Sequence, residues 1–398
     1  MKCKFSGIKI TPFMSFGKMP MANAFLNKDQ FKNEFFYNLE VGFSPKYYLF
    51  QINDYPVSKK IFNDDYPFYT GKSNYMVKHF KNFSDWIKKN YLQSTFKIIE
   101  IGTNDGTFLK NFSKKNISHC GFEPSKKIAQ IARKKGLNVI SNFFNKKNAN
   151  KLYKFKKKTD VVFAANVICH IPDLNDLIQG IDIVLSKKGV FIFEEPYLGS
   201  MFKKVSFDQI YDAHIYMFSL LSIREIFKKY DFDLIDAYPQ TTHGGSMRYV
   251  IARKNERTIS DRVNKIINNE IISNMNSLKA CKTFKNKCEI SKNRFKKKLL
   301  IYKNQGKRIC GYAASAKSTT LLNYSEINEN IIEFIVDSTK EKIGKFSPGM
   351  HIPVVSPNYF RKNLCDVMVL LSWNHKKEIL IKEKKFIKNM KILSHIEY

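Results

Sequence analysis

The feature that most constrains this chain is an alternation of short apolar strands with helices of about ten residues, which begins near Phe83. Strands that alternate with helices are typical of a parallel sheet covered by helices on both faces. We therefore predict an α/β fold with a Rossmann-like central domain over residues 81–255. Its expected strands are 96–101, 119–122, 138–141, 160–165 and 189–194, and its expected helices are 83–92, 107–115, 126–135 and 174–185.

The segments on either side of this alternation predict two further domains, which suits a chain of 398 residues. Residues 1–80 have turn signals and no clear period, so we expect a small, loop-rich domain there. The strands 233–238 and 246–253 have no helix between them and indicate an antiparallel pair at one sheet edge. Residues 255–304 are helical in pattern and basic, and a shorter alternation follows, so 256–398 should form a helical linker and a second Rossmann-like domain.

A glycine turn follows the first strand of the central domain, where Ile98-Ile99-Glu100-Ile101 runs into Gly102. A strand, a glycine turn and a helix start form a site for anionic and polar ligands, and glycine is needed where a Cβ would collide. The second glycine is Gly106, so the spacing differs from the Gly-x-Gly-x-x-Gly of nicotinamide and flavin folds. The motif therefore favours S-adenosylmethionine, whose amino-acid end lies against this loop, over NAD.

A second acid is expected at the tip of the next strand, where a carboxylate offers two acceptors to the ribose hydroxyls. Glu123 occupies that position. After the third strand, the amide of Asn142 and the ring of Phe143 are suited to binding adenine. The predicted fold is thus a class I S-adenosylmethionine methyltransferase core, with the cofactor site formed by Glu100, Gly102, Asn104, Asp105, Gly106, Phe108, Glu123, Pro124, Asn142, Phe143 and Asn166.

The net charge of +33 admits two interpretations. A basic chain of this kind is expected of a nucleic-acid methyltransferase or binding protein. However, the lysines lie in short runs throughout the chain and form no aromatic-interleaved stripe, which favours biased codon usage. We therefore expect no nucleic-acid partner, and the excess charge would help to attract an anionic substrate.

The seven cysteines include no Cys-x-x-Cys pair, which argues against a disulfide framework and against a thiolate zinc site. No apolar run reaches the roughly 18 residues of a membrane span, and no apolar stretch suited to a signal peptide follows Met1. The expectation is a cytoplasmic protein without membrane insertion, as a monomer or a weak homo-oligomer.

The chain resembles the three-domain sugar C-methyltransferases, which act on nucleotide-linked 4-keto-deoxysugars. The resemblance covers nearly the whole length. It is carried by separated segments, namely Phe16-Gly17-Lys18-Met19-Pro20-Met21-Ala22-Asn23-Ala24-Phe25, Phe207-Asp208-Gln209-Ile210-Tyr211-Asp212-Ala213-His214, His243-Gly244-Gly245-Ser246-Met247-Arg248, Gly311-Tyr312-Ala313-Ala314-Ser315-Ala316-Lys317, Leu321-Leu322-Asn323-Tyr324, Pro348-Gly349-Met350-His351-Ile352-Pro353 and Trp373-Asn374.

The resemblance implies a nucleotide-sugar substrate between the domains, whose 4-keto group acidifies the proton at C3. A histidine removes this proton and the enolate takes the methyl group; a base of near-neutral pKa suits this chemistry. His214 matches the family's base, and Tyr211, three residues earlier, would share a helix face with it. The implied catalytic set is completed by His170 and Tyr66, and the substrate-binding set is His243, Ser246, Arg248, Lys317 and Asn323.

Two departures from the family pattern change what is expected. Many relatives hold a structural zinc with four cysteines, but here only Cys3 remains, with Ser6, Ser44 and Tyr47 at the other positions. One thiolate does not form a closed zinc site, so we predict no metal.

The second departure is Ala213, which stands where relatives carry a glutamate. Either another acid, such as Asp212 or Glu195, replaces the glutamate, or the substrate differs, or the reaction is slow or absent. The alternative functions are a nucleic-acid protein and a non-catalytic sugar-nucleotide binding protein, and methylation at C5 in place of C3 stays open.

Overall fold

The computed structural model describes residues 1–53, 69–92, 96–113 and 116–396, and these contain a small antiparallel sheet and two parallel-rich sheets. The small sheet has the order β1-β2-β3-β9. Its strands are β1 (Pro12–Pro20), β2 (Phe36–Ser44), β3 (Leu49–Ile52) and β9 (Tyr216–Met217). The N-terminal part is thus more regular than we predicted. Register shifts between Pro12 and Met14 and between Ser15 and Lys18 explain the difference, because bulges interrupt the alternation that identifies a strand.

The central sheet has seven strands in the order β10-β11-β8-β7-β4-β5-β6. Strands β4 to β8 are parallel, whereas β11 is antiparallel to both β8 and β10, so the expected antiparallel pair lies at one edge. The bounds are β4 (Phe96–Ile101), β5 (Ile117–Phe122), β6 (Val139–Ile140), β7 (Thr159–Ala165), β8 (Leu185–Pro196), β10 (Phe232–Gln240) and β11 (Ser246–Arg253).

The described α-helices of the first two thirds of the chain are Asn74–Tyr91, Lys126–Lys134, Lys146–Asn150, Leu174–Val184, Leu198–Lys204 and Leu220–Lys228. The first of them begins nine residues before the predicted helix, because the Ser73 hydroxyl accepts from the Met76 amide and caps it. The predicted helix 107–115 was wrong: only a 3-10 turn, Leu109–Phe112, forms in its described part. The Thr107 amide and hydroxyl both bond to Asp105, and this local bonding competes with helix formation.

The C-terminal part holds a five-stranded parallel sheet in the order β14-β13-β12-β15-β16. Its strands are β12 (Ile309–Tyr312), β13 (Phe334–Val336), β14 (Val354–Val355), β15 (Val367–Leu370) and β16 (Lys391–Leu393), and its helices are Ala316–Tyr324, Pro357–Lys362 and Lys376–Lys382. The predicted linker 255–304 contains two helices, Asp261–Ile272 and Leu278–Asn304.

The N-terminal sheet packs directly on the C-terminal part. The ring of Phe16 lies 4.4 Å from that of Tyr324, and Phe50 meets Phe284 of the long helix at 6.4 Å. Burial of these aromatic side chains joins the first and last parts of the chain around one apolar core. No helix among the described residues is both long and apolar enough to cross a membrane.

Candidate active site

A cavity of about 1070 Å³ opens at the carboxyl ends of the central strands, next to residues from both ends of the chain. This is where ligands bind in open parallel sheets. Most of the predicted site residues line it, namely Glu100, Gly102, Asn104, Phe108, Glu123, Pro124, Asn142, Phe143, Asn166, His170, Tyr211, His214, His243 and Lys317. Tyr66 lies outside the described residues.

The glycine turn follows β4 as predicted, and packing explains why both glycines are required. Gly102 has φ +75°, and a Cβ on it would lie 2.3 Å from the Val167 side chain. Gly106 has φ +80°, with Leu137 and Ala132 as its neighbours, and it lies outside the cavity lining. The turn therefore keeps its shape because each glycine combines a left-handed backbone with a close neighbour.

Glu123 lies at the end of β5, across the cavity rim from the glycine turn. One of its oxygens accepts from the Asn104 amide at 2.9 Å and the other from the Ser125 amide at 3.0 Å. Burial raises the pKa of this carboxyl above its ordinary value, although the two hydrogen bonds from backbone amides lower it. Each oxygen retains a second acceptor position, so the carboxylate can accept two ribose hydroxyls while its own position is fixed.

Two buried oxygens at the same end of the cavity have no hydrogen-bond partner among the described residues. They are Oε2 of Glu100 and Oδ1 of Asn166. Burial raises the pKa of Glu100 well above its ordinary value. Buried polar atoms are normally satisfied, so these two acceptors indicate that a polar ligand belongs here. The residues present fit the amine and hydroxyl groups of S-adenosylmethionine.

The Tyr211–His214 pair lies on a turn, whereas we predicted a helix. The His214 amide donates to the Tyr211 carbonyl at 2.9 Å, which closes a four-residue turn after the 3-10 turn Phe207–Gln209. The turn is held from both sides: Asp212 accepts from the Ala22 amide, and the Thr320 hydroxyl donates to the Ile210 carbonyl. The N-terminal and C-terminal parts thus fix the segment that carries the proposed base.

Hydrogen bonds define the protonation pattern of His214. Its Nδ1 lies 2.7 Å from the Gln209 carbonyl oxygen, which only accepts, so Nδ1 carries the hydrogen. The neutral ring then has its lone pair on Nε2, which lies 2.6 Å from the Tyr211 hydroxyl. In the same way, His170 Nδ1 lies 2.5 Å from the Ala213 carbonyl oxygen. His214 Nε2 is therefore an acceptor, and the Tyr211 hydroxyl donates to it.

Burial keeps these histidines neutral. It lowers the pKa of His214 well below the ordinary value, and the charges of His170 and Lys317 lower it further. Burial also lowers the pKa of His170, and the two rings lie 5.2 Å apart. A neutral imidazole with its lone pair on Nε2 can accept a proton from a carbon acid once the Tyr211 hydroxyl has turned to the substrate.

Lys317 brings a positive charge from the C-terminal part into the cavity. It lies in the first turn of the helix Ala316–Tyr324, and its Nζ donates to the His243 carbonyl at 3.2 Å and to Asn374 Oδ1 at 3.4 Å. Burial lowers its pKa to about 8, although Asp208 opposes the shift. His243 itself is partly buried with φ +53°, and its buried Nε2 has no partner among the described residues.

Three predicted substrate ligands have structural contacts away from the cavity lining. Arg248 pairs with Glu194 at 2.6 Å and lies 3.7 Å over the Phe83 ring. The Ser246 hydroxyl donates to the Thr242 carbonyl, and Asn323 donates to the carbonyls of Thr319 and Pro348. The resemblance implies these three side chains as substrate ligands, and a sequence motif does not reveal which way a side chain points.

The acids considered as replacements at position 213 also lie outside the cavity lining. Asp212 accepts from the amides of Ala22 and Ala213, and burial raises its pKa to about 6. Glu195 accepts from the amides of Val167 and Ile168. Both carboxyl groups therefore hold backbone segments, and neither lines the cavity.

The residues at the expected zinc positions do not fit that metal. Cys3 is buried in an apolar cluster with Phe5, Ile10 and Leu49, and the Phe5 ring packs edge-on against Tyr47. Hydroxyl groups at the other positions are not the thiolates that structural zinc requires.

Of the described residues, Cys169, His170 and His214 have potential metal-ligand atoms within 4.8 Å of one another. Burial raises the pKa of the Cys169 thiol well above its ordinary value, with Glu195 acting in the same direction. A thiol that stays protonated is a poor ligand, and the Tyr211 hydroxyl already lies 2.6 Å from His214 Nε2, the nitrogen that would bind a metal. The contacts of this cluster therefore fit proton transfer better than metal binding.

The cavity lining also includes polar residues that we had not singled out from the sequence. They are Lys4, Asn23, Asn53, Thr70, Asp173, Asp176, Thr339, Lys342 and His375. The N-cap position of Asp173, before the helix Leu174–Val184, was readable from the sequence. Asp176 lies in the first turn of that helix, and the remaining residues come from distant parts of the chain that only the fold brings to the cavity.

Three family models match successive segments of the chain. A "zinc binding domain" model matches residues 3–62, a "Methyltransferase domain" model matches 73–237, and a "C-methyltransferase C-terminal domain" model matches 241–393. The C-methyltransferase NovU of Streptomyces niveus is 24% identical over 379 residues, which cover 94% of this chain and 90% of NovU.

Two solved structures similar to part of the chain are the PH0226 protein of Pyrococcus horikoshii and a SAM-dependent methyltransferase of Thermotoga maritima. They have TM-scores of 0.38 and 0.32 and identities of 17% and 20%. They cover 48% and 44% of this chain and 97% and 91% of their own. The sheet order, the glycine turn and the methyltransferase match define an S-adenosylmethionine-dependent methyltransferase. The chain is similar to C-methyltransferases along its length, because the three matched segments follow one another and NovU aligns with 94% of the chain.

Proposed function

We propose that this methyltransferase C-methylates a nucleotide-linked 4-keto-deoxysugar at C3, with His214 as the base. The observation that carries the proposal is the neutral His214, with its lone pair on Nε2, in the same cavity as the glycine turn. The name of NovU, a C-methyltransferase, supports transfer to carbon. A carbon acceptor needs a base, because a C–H bond is not nucleophilic until its proton has been removed.

His214, Tyr211 and His170 have different roles in this reaction. His214 Nε2 accepts the C3 proton, and the electron pair of the C–H bond passes into an enolate that includes the 4-keto oxygen. The Tyr211 hydroxyl, which donates to Nε2 before substrate binds, becomes the donor to the enolate oxygen. His170, whose ring lies 5.2 Å from that of His214 in the cavity lining, orients the sugar. S-adenosylmethionine supplies an electrophilic methyl group when bound.

The cofactor is held by the cavity residues at the ends of the central strands. Glu123 binds the ribose hydroxyls, Asn142 and Phe143 hold the adenine, and the Gly102–Asn104 turn with Glu100 and Asn166 receives the amino-acid end. The nucleotide diphosphate of the substrate binds at Lys317 and the start of its helix, where a buried charge and the positive end of the helix dipole both favour an anion. His243 completes this end of the substrate site.

The test is incubation with labelled S-adenosylmethionine and a panel of nucleotide-linked 4-keto-6-deoxysugars. We expect label at C3 of at least one sugar. Label at C5 would show that the proton is removed from C5 and that C5 is methylated. A panel that binds without labelling would make the chain a sugar-nucleotide binding protein and overturn the proposal.

The base is tested by exchange of the substrate C–H with deuterated solvent. His214→Asn should lose exchange by a factor on the order of 100 or more, the usual contribution of a general base. His119→Asn is the matched control, because His119 lies on β5 away from the cavity lining. Undiminished exchange in His214→Asn would exclude it as the base.

A further inference from the structure

The short turn Thr70–Lys72, just before the helix Asn74–Tyr91, packs against the outer side of the cofactor turn. The Thr70 amide donates to Asn104 Oδ1 at 3.0 Å, and the Gly71 amide donates to Asp105 Oδ2 at 3.0 Å. Two consecutive backbone amides thus bond to two consecutive side chains of the Gly102–Gly106 turn. The pairing crosses 34 residues of sequence and is not expected from local structure.

Asp105 is committed to this contact. Its second oxygen accepts from the Thr107 hydroxyl at 2.7 Å and from the Thr107 amide at 3.2 Å, and Lys135 Nζ lies 3.6 Å from Oδ2. Asp105 lies outside the lining of the main cavity and is only 5% exposed. The sequence predicts Asp105 as a cofactor ligand, but its carboxylate bonds to Gly71 and Thr107 outside the cavity lining.

Gly71 is required for the contact on steric grounds. A Cβ at this position would lie 2.5 Å from Asp105 Oδ2 and 2.9 Å from the Thr107 hydroxyl oxygen. Such distances are well inside van der Waals contact, so any side chain would push the turn away from Asp105. The close approach of the two backbones therefore depends on glycine at position 71.

Thr70 lies on the cavity side of this turn. It is 6% exposed and lines the main cavity together with Gly102 and Asn104. Gly71 and Lys72 line a separate, smaller pocket on the opposite side, which also contains Asp105. The turn therefore separates the cofactor end of the cavity from the outer pocket, and Thr70 is the residue on its inner face.

We propose that Thr70-Gly71 forms the outer wall of the cofactor site, with Thr70 against the amino-acid end of S-adenosylmethionine and with Asn104 and Asp105 as positioning residues for that wall. The proposal concerns the cofactor alone, so it does not depend on the identity of the sugar. A wall held by two hydrogen bonds from backbone amides limits the space next to the glycine turn and excludes water from it.

The first test is Gly71→Ala, measured by titration of the full-length protein with S-adenosylhomocysteine. We expect the Kd to rise on the order of tenfold, the equivalent of one or two lost hydrogen bonds. At saturating cofactor, kcat should stay within about threefold, because His214 and Tyr211 are untouched. The KM for S-adenosylmethionine should rise in step with the Kd.

The control is Gly306→Ala. Gly306 also has a positive φ, but a Cβ there meets no atom within 4 Å, and the residue lies after the long helix Leu278–Asn304. This variant should lose thermal stability from backbone strain while keeping the cofactor Kd. An unchanged Kd in folded Gly71→Ala overturns the proposal.

A second measurement covers the case in which Gly71→Ala does not fold. Hydrogen exchange of the unmodified protein should be slowed at the amides of Thr70 and Gly71 by saturating S-adenosylhomocysteine. Exchange at these two amides that does not respond to the ligand would overturn the proposal, even if binding itself is normal.

Discussion

Single ionisable residues near the site owe their protonation state mainly to burial. Glu195 is fully enclosed, with one oxygen bonded to the amides of Val167 and Ile168 and the other without a hydrogen-bond partner among the described residues. Burial raises the pKa of this carboxyl to about 7, although the Cys169 thiol and the amides of Val167, Ile168 and Cys169 lower it. The folded protein therefore holds a proton at Glu195 that the unfolded chain releases near pH 4.5.

This difference predicts a pH-dependent stability. Because the folded pKa is above the unfolded one, the contribution is fully present below pH 4.5 and is lost as pH rises through about 7. The loss is on the order of 3 kcal/mol. Glu195→Gln should flatten this part of the profile, as measured by urea unfolding at pH 5 and pH 8.

The comparison for Glu195→Gln is Glu225→Gln, which changes an acid that is partly exposed beside Arg224. It should leave the pH profile as in the unmodified protein. A Glu195→Gln variant whose stability still falls between pH 5 and pH 8 to the full extent would show that another group carries the effect.

At the scale of elements, one buried carboxylate joins two helices of the central part. Glu270, in the helix Asp261–Ile272, accepts from the amides of Leu220 and Leu221 at the start of the helix Leu220–Lys228. It also accepts from the Tyr197 hydroxyl at 2.8 Å. These amides begin a helix and have no acceptor within it, so an anion at this point stabilises them.

Removal of this carboxylate should therefore be costly. Glu270→Ala leaves two amides and a hydroxyl without an acceptor in a buried place, and we expect a loss of about 3 kcal/mol of unfolding free energy. Glu225→Ala, which removes a partly exposed acid from the helix Leu220–Lys228 itself, should cost about 1 kcal/mol or less. Equal losses for the two variants in chemical denaturation would contradict the assignment.

Elements were predicted well where both faces of a strand are buried. The strand 96–101 and the strand 246–253 were confirmed to the residue, because runs of Ile, Val and Phe bounded by turns leave few alternatives. The helix 107–115 failed because Asp105 takes up the amide and hydroxyl of Thr107. The apolar periodicity of a sequence does not reveal local side-chain hydrogen bonds of this kind.

At the scale of the whole molecule, the candidate site is shared by distant parts of the chain. The turn with Tyr211 and His214 follows β8 of the central sheet, yet Ala22 and Thr320 hold it in place. In the same region, Trp373 Nε1 donates to Asp208, which also lies 3.2 Å from His395 near the C-terminal end. The position of the proposed base therefore depends on the packing of all three sheets.

Lys317 gives this arrangement a measurable consequence. Burial lowers its pKa to about 8, so the free enzyme loses this charge as pH rises through that value. If Lys317 binds the substrate diphosphate, kcat/KM for the nucleotide-sugar should fall above about pH 8 and give the pH profile a descending limb. Lys317→Gln should have a low kcat/KM at all pH values and no descending limb near pH 8. The exposed Lys340→Gln should retain the limb. A limb that persists in Lys317→Gln would assign it to another group.

The sequence by itself determined the fold class and the cofactor, because both depend on local patterns. A buried strand that runs into Gly102, followed by Glu123 one strand later, specifies a cofactor turn wherever it occurs. Only the tertiary structure decided which polar side chains reach the cavity. In the folded chain Arg248 pairs with Glu194, Asp105 accepts from the Gly71 amide, and Lys317 donates to the His243 carbonyl. The physical reason is that the direction of a side chain depends on neighbours distant in sequence, and periodicity contains no information about them.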